Sequence, residues 1–90
     1  MNKPLFKLGK CVATANVMEI LNQSEMMDLI TRHVTGDFGD LDKHDSKLNN
    51  NAIKNNDDRV FSAYTVNGEK IYVITEWDRS VTTVLLASDY

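Results

Sequence analysis

The stretch Gly36-Asp37-Phe38-Gly39-Asp40-Leu41-Asp42-Lys43-His44-Asp45 holds the densest run of carboxylates in the chain, and His33 lies just before it. Carboxylates and imidazoles in one segment are what a divalent-metal hydrolase or nuclease uses to hold its ion and activate water. The calcium-loop pattern fails here. Counted from Asp37, the sixth position, which needs glycine, is Asp42, and the twelfth, which needs an acid, is Leu48. An irregular metal site on His33, Asp37, Asp40 and His44 stays open beside a plainer reading, in which Asp caps helix starts and Gly makes turns. Phe38, between two glycines, is expected to anchor the loop in the core. Asp37, Phe38 and Asp40 are carried forward as candidate binding residues.

A second concentration of chemistry is Thr75-Glu76-Trp77-Asp78-Arg79-Ser80, where two carboxylates, an indole and a guanidinium could form a recognition corner at one end of a sheet. The competing reading is a hairpin loop whose Asp and Ser bond their own backbone. Trp77, Asp78 and Arg79 join the candidates, because Trp and Arg dominate binding hot spots. Cys11, beside Val12, reads as a small buried hydrophobe with no histidine at a useful spacing. No glycine-rich phosphate loop and no zinc-type Cys/His spacing occurs, so no cofactor and no catalytic residue is assigned.

These residues must be positioned by a small scaffold. Ninety residues with 42% hydrophobic and 26% charged side chains make a single globular domain, 1–90. The formal charge of −3 gives no positive field for phosphate backbones, and it is thin for a protein that imitates DNA. It is also uneven: residues 1–36 carry +1, residues 37–58 carry −3 and residues 59–90 carry −1. One cysteine allows no internal disulfide, which fits a cytoplasmic setting. No apolar run approaches a membrane span, and the first ten residues lack a signal peptide's apolar stretch.

The first half, 1–58, reads as mainly helical. Phe6, Leu8 and Val12 suggest a brief extended segment broken at Gly9, before Thr14 caps a helix with Val17, Ile20 and Leu21 on one face. Ser24 is expected to cap a second helix that Gly36 stops, and Asp42 or Asp45 a third that buries Leu48, Ala52 and Ile53. The period then changes. Runs from Val60 to Val66 and from Ile71 to Trp77 flank Asn67-Gly68, the signal for a two-residue hairpin that pairs Tyr64 with Ile71 and Ser62 with Val73. A reversal at Asp78-Arg79-Ser80 would return Val81–Leu86, completing over 59–90 a three-stranded antiparallel meander.

The expected fold is therefore α+β, with N-terminal short helices on one face of that meander. Phe61, Tyr72, Ile74, Val84 and Leu86 should share one face, and Val60, Tyr64, Ile71, Val73 and Leu85 the other. One of these would stay open as an apolar patch for another protein or a second copy of the chain.

Taken together, Arg32–Leu41, Ser62-Ala63-Tyr64, Gly68–Glu76 and Asp78–Thr83 resemble a family of small bacterial proteins met on plasmids, phages and other mobile elements, often labelled "plasmid-related protein" or "type I restriction endonuclease subunit M". The likeness runs from about Phe6 to the end of the chain. Family members carry Trp where this chain has Phe38, and often a small residue where it has Trp77. The methyltransferase label does not fit, because that chemistry needs a doubly wound cofactor sheet and an Asn-Pro-Pro-aromatic element, whereas the only proline here is Pro4. The resemblance implies a non-enzymatic accessory protein that acts by binding another protein, such as part of a host defence or restriction complex. The alternatives are the metal-dependent hydrolase above and a small-ligand module with a pocket near Tyr64, Tyr72 and Trp77.

Overall fold

The computed structural model describes residues 3–90. The chain runs β1 (Lys10–Ala13), α1 (Ala15–Ile20), α2 (Gln23–Val34), α3 (Lys43–Asn55), β2 (Val60–Val66), β3 (Glu69–Thr75) and β4 (Val81–Leu86), and ends in a short 3-10 turn, Ala87–Asp89. The α+β class is as expected, but the sheet is four-stranded and mixed, in the order β1-β4-β3-β2. β1 corrects the three-stranded meander: the short segment around Val12 pairs parallel to β4, Lys10 against Val81 through Ala13 against Val84. The N-terminal part is thus not helical alone.

Local chemistry explains most boundaries. Thr14 caps α1 by accepting from the Val17 N–H. α2 is capped by Asn22 rather than Ser24, because Asn22 Oδ1 accepts from the Glu25 N–H at 2.8 Å while Glu25 Oε1 accepts from the Asn22 N–H at 3.0 Å, a reciprocal capping box. Gly36 ends α2 at φ +94°, with the Asp37 and Gly36 N–H groups donating back to the Arg32 and His33 carbonyls. Asp42 caps α3 through the Asp45 N–H, and Asn56 ends it in the left-handed region.

The Asn67-Gly68 hairpin has the expected register, with Val66 opposite Glu69, Tyr64 opposite Ile71 and Ser62 opposite Val73. β4 does not have the expected faces. Its reversal closes one pair earlier, the Glu76 N–H donating to the Val81 carbonyl, so Trp77-Asp78-Arg79-Ser80 all lie in the loop and Arg79 takes φ +61°. That single-residue slip turns β4 over. Val84 and Leu86 lie with Val73 and Ile71, and Leu85 lies with Tyr72.

The inner face, Tyr64, Ile71, Val73, Val84 and Leu86, packs against Val17, Leu21, Leu29 and Ile30 of α1 and α2 and the turn between them. A second cluster of Phe38, Ala52 and Val60, with Phe6, Leu41 and Ile53 at its rim, holds α3 beside β2. α3 is therefore an edge element, not a third helix on the sheet face. The outer face is not the continuous open patch expected from its composition. Ala63, Ile74 and Leu85 at its centre are buried, and the C-terminal turn folds back on β3, laying Tyr90 against Phe61 and Tyr72. What stays open is the aromatic end near β2 and the β1 side, where Val12 is 37% exposed.

Candidate functional site

The Gly-Asp-Phe-Gly-Asp loop closes onto the protein itself. Asp37 accepts from Arg32 Nε at 2.7 Å and Nη2 at 3.4 Å, and also from the Gly39 N–H at 3.1 Å. The guanidinium beside it holds the Asp37 carboxyl below its ordinary range. Arg32 lies over the Tyr64 ring, 4.6 Å from its centroid, and the Tyr64 hydroxyl donates to the Asp37 carbonyl at 2.6 Å. Burial pushes the Tyr64 phenol up to about 12. Phe38 is buried as expected. Asp40 accepts from the Thr65 hydroxyl at 2.8 Å.

Gly39 forms a parallel bridge to Ala63, and a Cβ there would fall 2.1 Å from the Ala63 carbonyl oxygen. The Ala63 N–H donates to the Phe38 carbonyl and its carbonyl accepts from the Asp40 N–H at 2.7 Å. The loop thus serves as a short surrogate strand on the β2 edge.

His33 is not placed as a metal ligand would be. It is wholly buried, with Nδ1 2.6 Å from Ser62 Oγ and Nε2 2.9 Å from Thr75 Oγ1. Thr75 Oγ1 in turn meets Thr82 Oγ1 at 2.7 Å, which donates to the Leu8 carbonyl at 2.7 Å. Phe6 packs its ring edge-on at 5.2 Å. Desolvation lowers the His33 pKa to about 4, so the ring is neutral at physiological pH. His44 lies on the exposed surface of α3. Among the described residues no three His, Cys, Asp or Glu side chains converge to hold a metal, so the set His33, Asp37, Asp40 and His44 is not brought together.

The Trp77-Asp78-Arg79 corner divides. Arg79 is turned inward: Nη1 donates to the Asp58 carbonyl at 2.6 Å and to those of Glu76 and Trp77 at 3.2 Å, while Nη2 reaches the Ala52 carbonyl in the last turn of α3 at 3.0 Å. A guanidinium at a helix C-terminus complements the dipole, and here it also ties the β3–β4 loop to α3. Asp78 accepts from the Ser80 N–H at 3.1 Å, which closes the loop, and the Ser80 hydroxyl together with that N–H holds its carboxyl below the ordinary range. Trp77 and Asp78 are left facing solvent, Trp77 with 64% of its surface exposed. Cys11 is exposed rather than buried, because β1 lies at the sheet's edge beyond the helices. The pocket expected near Tyr64, Tyr72 and Trp77 does not form, since Tyr64 is on the inner face and Tyr72 on the outer.

An open groove that local residue patterns do not signal lies beside α3. A groove of about 370 Å³ runs between α3 and the outer face, lined by Asp45, Leu48, Asp58, Arg59, Tyr72 and Tyr90, with Phe61 and Asn49 at its base. Its three rings are mutually oblique, with Phe61 and Tyr72 centroids 4.7 Å apart and Tyr72 and Tyr90 5.7 Å apart. Arg59 lies over Phe61 and Tyr90, at 5.5 and 5.8 Å, and donates to the Tyr90 hydroxyl. Tyr90 and Leu48 are more than half exposed. Alternation along β2 and β3 puts Phe61 and Tyr72 on one face, but Tyr90 and Leu48 join them only because the C-terminal turn and α3 converge there.

Against known proteins, the chain matches no family model, no curated protein and no solved structure.

Proposed function

We propose that this chain is a protein-interaction module that grips its partner in the groove between α3, β2 and the C-terminal turn. The observation that carries this reading is the half-open cluster of Phe61, Tyr72 and Tyr90 beside Leu48, a concentration of aromatic surface of the kind that anchors interfaces. The rim carries two carboxylates, Asp45 and Asp58, against the one guanidinium of Arg59, which lies over two rings, so it is net acidic. The partner element that fits is an apolar or aromatic side chain followed by a basic one.

Two of the segments on which the resemblance to the mobile-element family rests, Arg32 to Leu41 and Asp78 to Thr83, serve mainly to close the loop at the β2 edge and to tie α3 down. Likeness there speaks for a common scaffold, while the groove selects the partner. On that resemblance the partner belongs to a host defence or restriction complex, and the chain acts by occupying a surface of it. A small ligand is the competing occupant, since the groove lies within the roughly 300–1,000 Å³ range of ligand sites.

The test compares two versions of the protein on the same host lysate. A partner recovered with the wild-type chain and lost with Tyr72→Lys, while both versions melt at similar temperature, supports the reading. Equal recovery by both sinks it.

A further inference from the structure

The two edges of the sheet are treated differently. On β2, the outward-facing groups of Phe61 are taken by the Asn49 side chain and those of Ala63 by the Phe38–Asp40 loop. On β1, Lys10 donates to the carbonyl of Ser80, just before β4, and the Thr14 N–H that follows β1 donates to that of Val84 within β4, so the alternation of a parallel ladder points the N–H and C=O groups of Cys11 and Ala13 away from the sheet. Among the described residues nothing covers that edge, and Lys10, Cys11 and Val12 are exposed. An uncovered strand edge is a template for another strand.

We propose that two copies of this chain pair antiparallel through their β1 strands, about a two-fold axis at Val12. This register exchanges both hydrogen bonds of Cys11 with the partner's Ala13, and by symmetry the reverse, so every outward group of the strand is satisfied. The neighbouring register, Cys11 on Cys11, sets Ala13 against the partner's Gly9, whose φ of +64° is not that of a strand.

Charge selects the same arrangement. With Val12 at the axis, Lys10 falls opposite the partner's Thr14, on the outer face. In each copy the Thr14 hydroxyl donates to Asp89 at 3.3 Å, and Asn16 Nδ2 holds the same carboxylate at 2.9 Å. Lys10 has no ion pair within its own chain among the described residues. The pairing therefore brings each lysine to a carboxylate already oriented on the other copy, twice over. Because Asn49 and the Phe38–Asp40 loop occupy the β2 edge at Phe61 and Ala63, the assembly stops at two rather than growing as a ribbon.

An edge of four residues makes a small interface, below the roughly 1,200 Å² of stable complexes, so the dimer should form reversibly at high concentration. It lies across the sheet from the aromatic groove and does not depend on that groove binding anything.

Sedimentation velocity in reducing buffer, over a concentration series reaching millimolar, should show a rise from the mass of one 10.2 kDa chain toward twice that value. Cys11→Pro removes an outward N–H that has no partner within the chain, a change an edge strand tolerates, and should abolish the rise. Lys10→Glu should weaken it at least tenfold, and Lys10→Glu with Asp89→Lys should restore it. In a Cys11→Ser background, Val12→Cys should give a disulfide-linked dimer on mild oxidation, since a non-hydrogen-bonded pair at the axis brings the two Cα atoms to about 4.5 Å. A single-chain mass throughout the series, or self-association untouched by Cys11→Pro and Lys10→Glu, overturns the proposal.

Discussion

The Asn49 side chain pairs with the Phe61 backbone as a strand would: Nδ2 donates to the Phe61 carbonyl at 2.6 Å, and the Phe61 N–H donates to Oδ1 at 3.0 Å. One amide on α3 thereby closes part of the β2 edge and sets the floor of the aromatic groove. Asn49→Leu strands a donor and an acceptor beside an apolar side chain, at a cost of about 1–3 kcal/mol. Urea denaturation should show that loss, together with increased aggregation from the reopened edge. A variant as stable as the wild type would show that water replaces the amide without penalty.

His33 makes stability depend on pH. Its native pKa is lowered to about 4 from an ordinary 6.5, so on acidification the unfolded chain takes up the proton first. Stability is therefore lost as pH falls from about 6.5 toward 4, reaching about 3 kcal/mol for this group. The comparison that isolates it is wild type against His33→Gln, with denaturation measured at pH 7 and pH 4.5. The wild type should lose markedly more. Parallel losses in the two proteins would place the acid sensitivity in the carboxylates.

Gly39 and Gly68 both have positive φ, at +73° and +80°, yet their surroundings differ. A Cβ at Gly39 meets the Ala63 carbonyl oxygen at 2.1 Å and Tyr64 Cδ1 at 2.5 Å, whereas a Cβ at Gly68 meets nothing within 4 Å. Gly68→Ala should cost about 1 kcal/mol, the strain of the left-handed backbone alone. Gly39→Ala should cost about 3 kcal/mol or more, because the loop must also leave the β2 edge. Thermal melts of the pair test this, and equal shifts would contradict the close approach of Gly39 to Ala63.

Arg79 and Trp77 are two residues apart and should behave oppositely. Arg79→Lys puts one ammonium where a planar fork spans the carbonyls of Asp58, Glu76, Trp77 and Ala52, so it should destabilise by about 2 kcal/mol. Trp77→Ala, at a solvent-facing position, should change stability by less than about 0.5 kcal/mol. If the two effects were reversed, Arg79 would not be the tie between α3 and the β3–β4 loop.

Residue order alone carried the parts of this protein that depend on neighbours in the chain. Asn67-Gly68 dictates its hairpin because only a few residues tolerate positive φ at both turn positions. Thr14, Gly36 and Asp42 mark helix ends because their groups bond to backbone a few residues away, and Phe38 is buried simply for being large and apolar. Tertiary structure decided everything set by contacts distant in sequence. Whether Arg79 faced solvent or α3 depended on where the last turn of that helix came to lie. Whether Leu85 or Leu86 faced the core depended on one residue of loop length, which local propensity does not resolve. The parallel pairing of β1 with β4 joins segments some seventy residues apart. Likewise His33 and Ser62 lie on separate elements, as do Asn49 and Phe61, or Tyr90 and Tyr72, and no spacing rule links such pairs. Their meeting is a property of the packed sheet and helices, in which each polar group takes whichever partner burial leaves it.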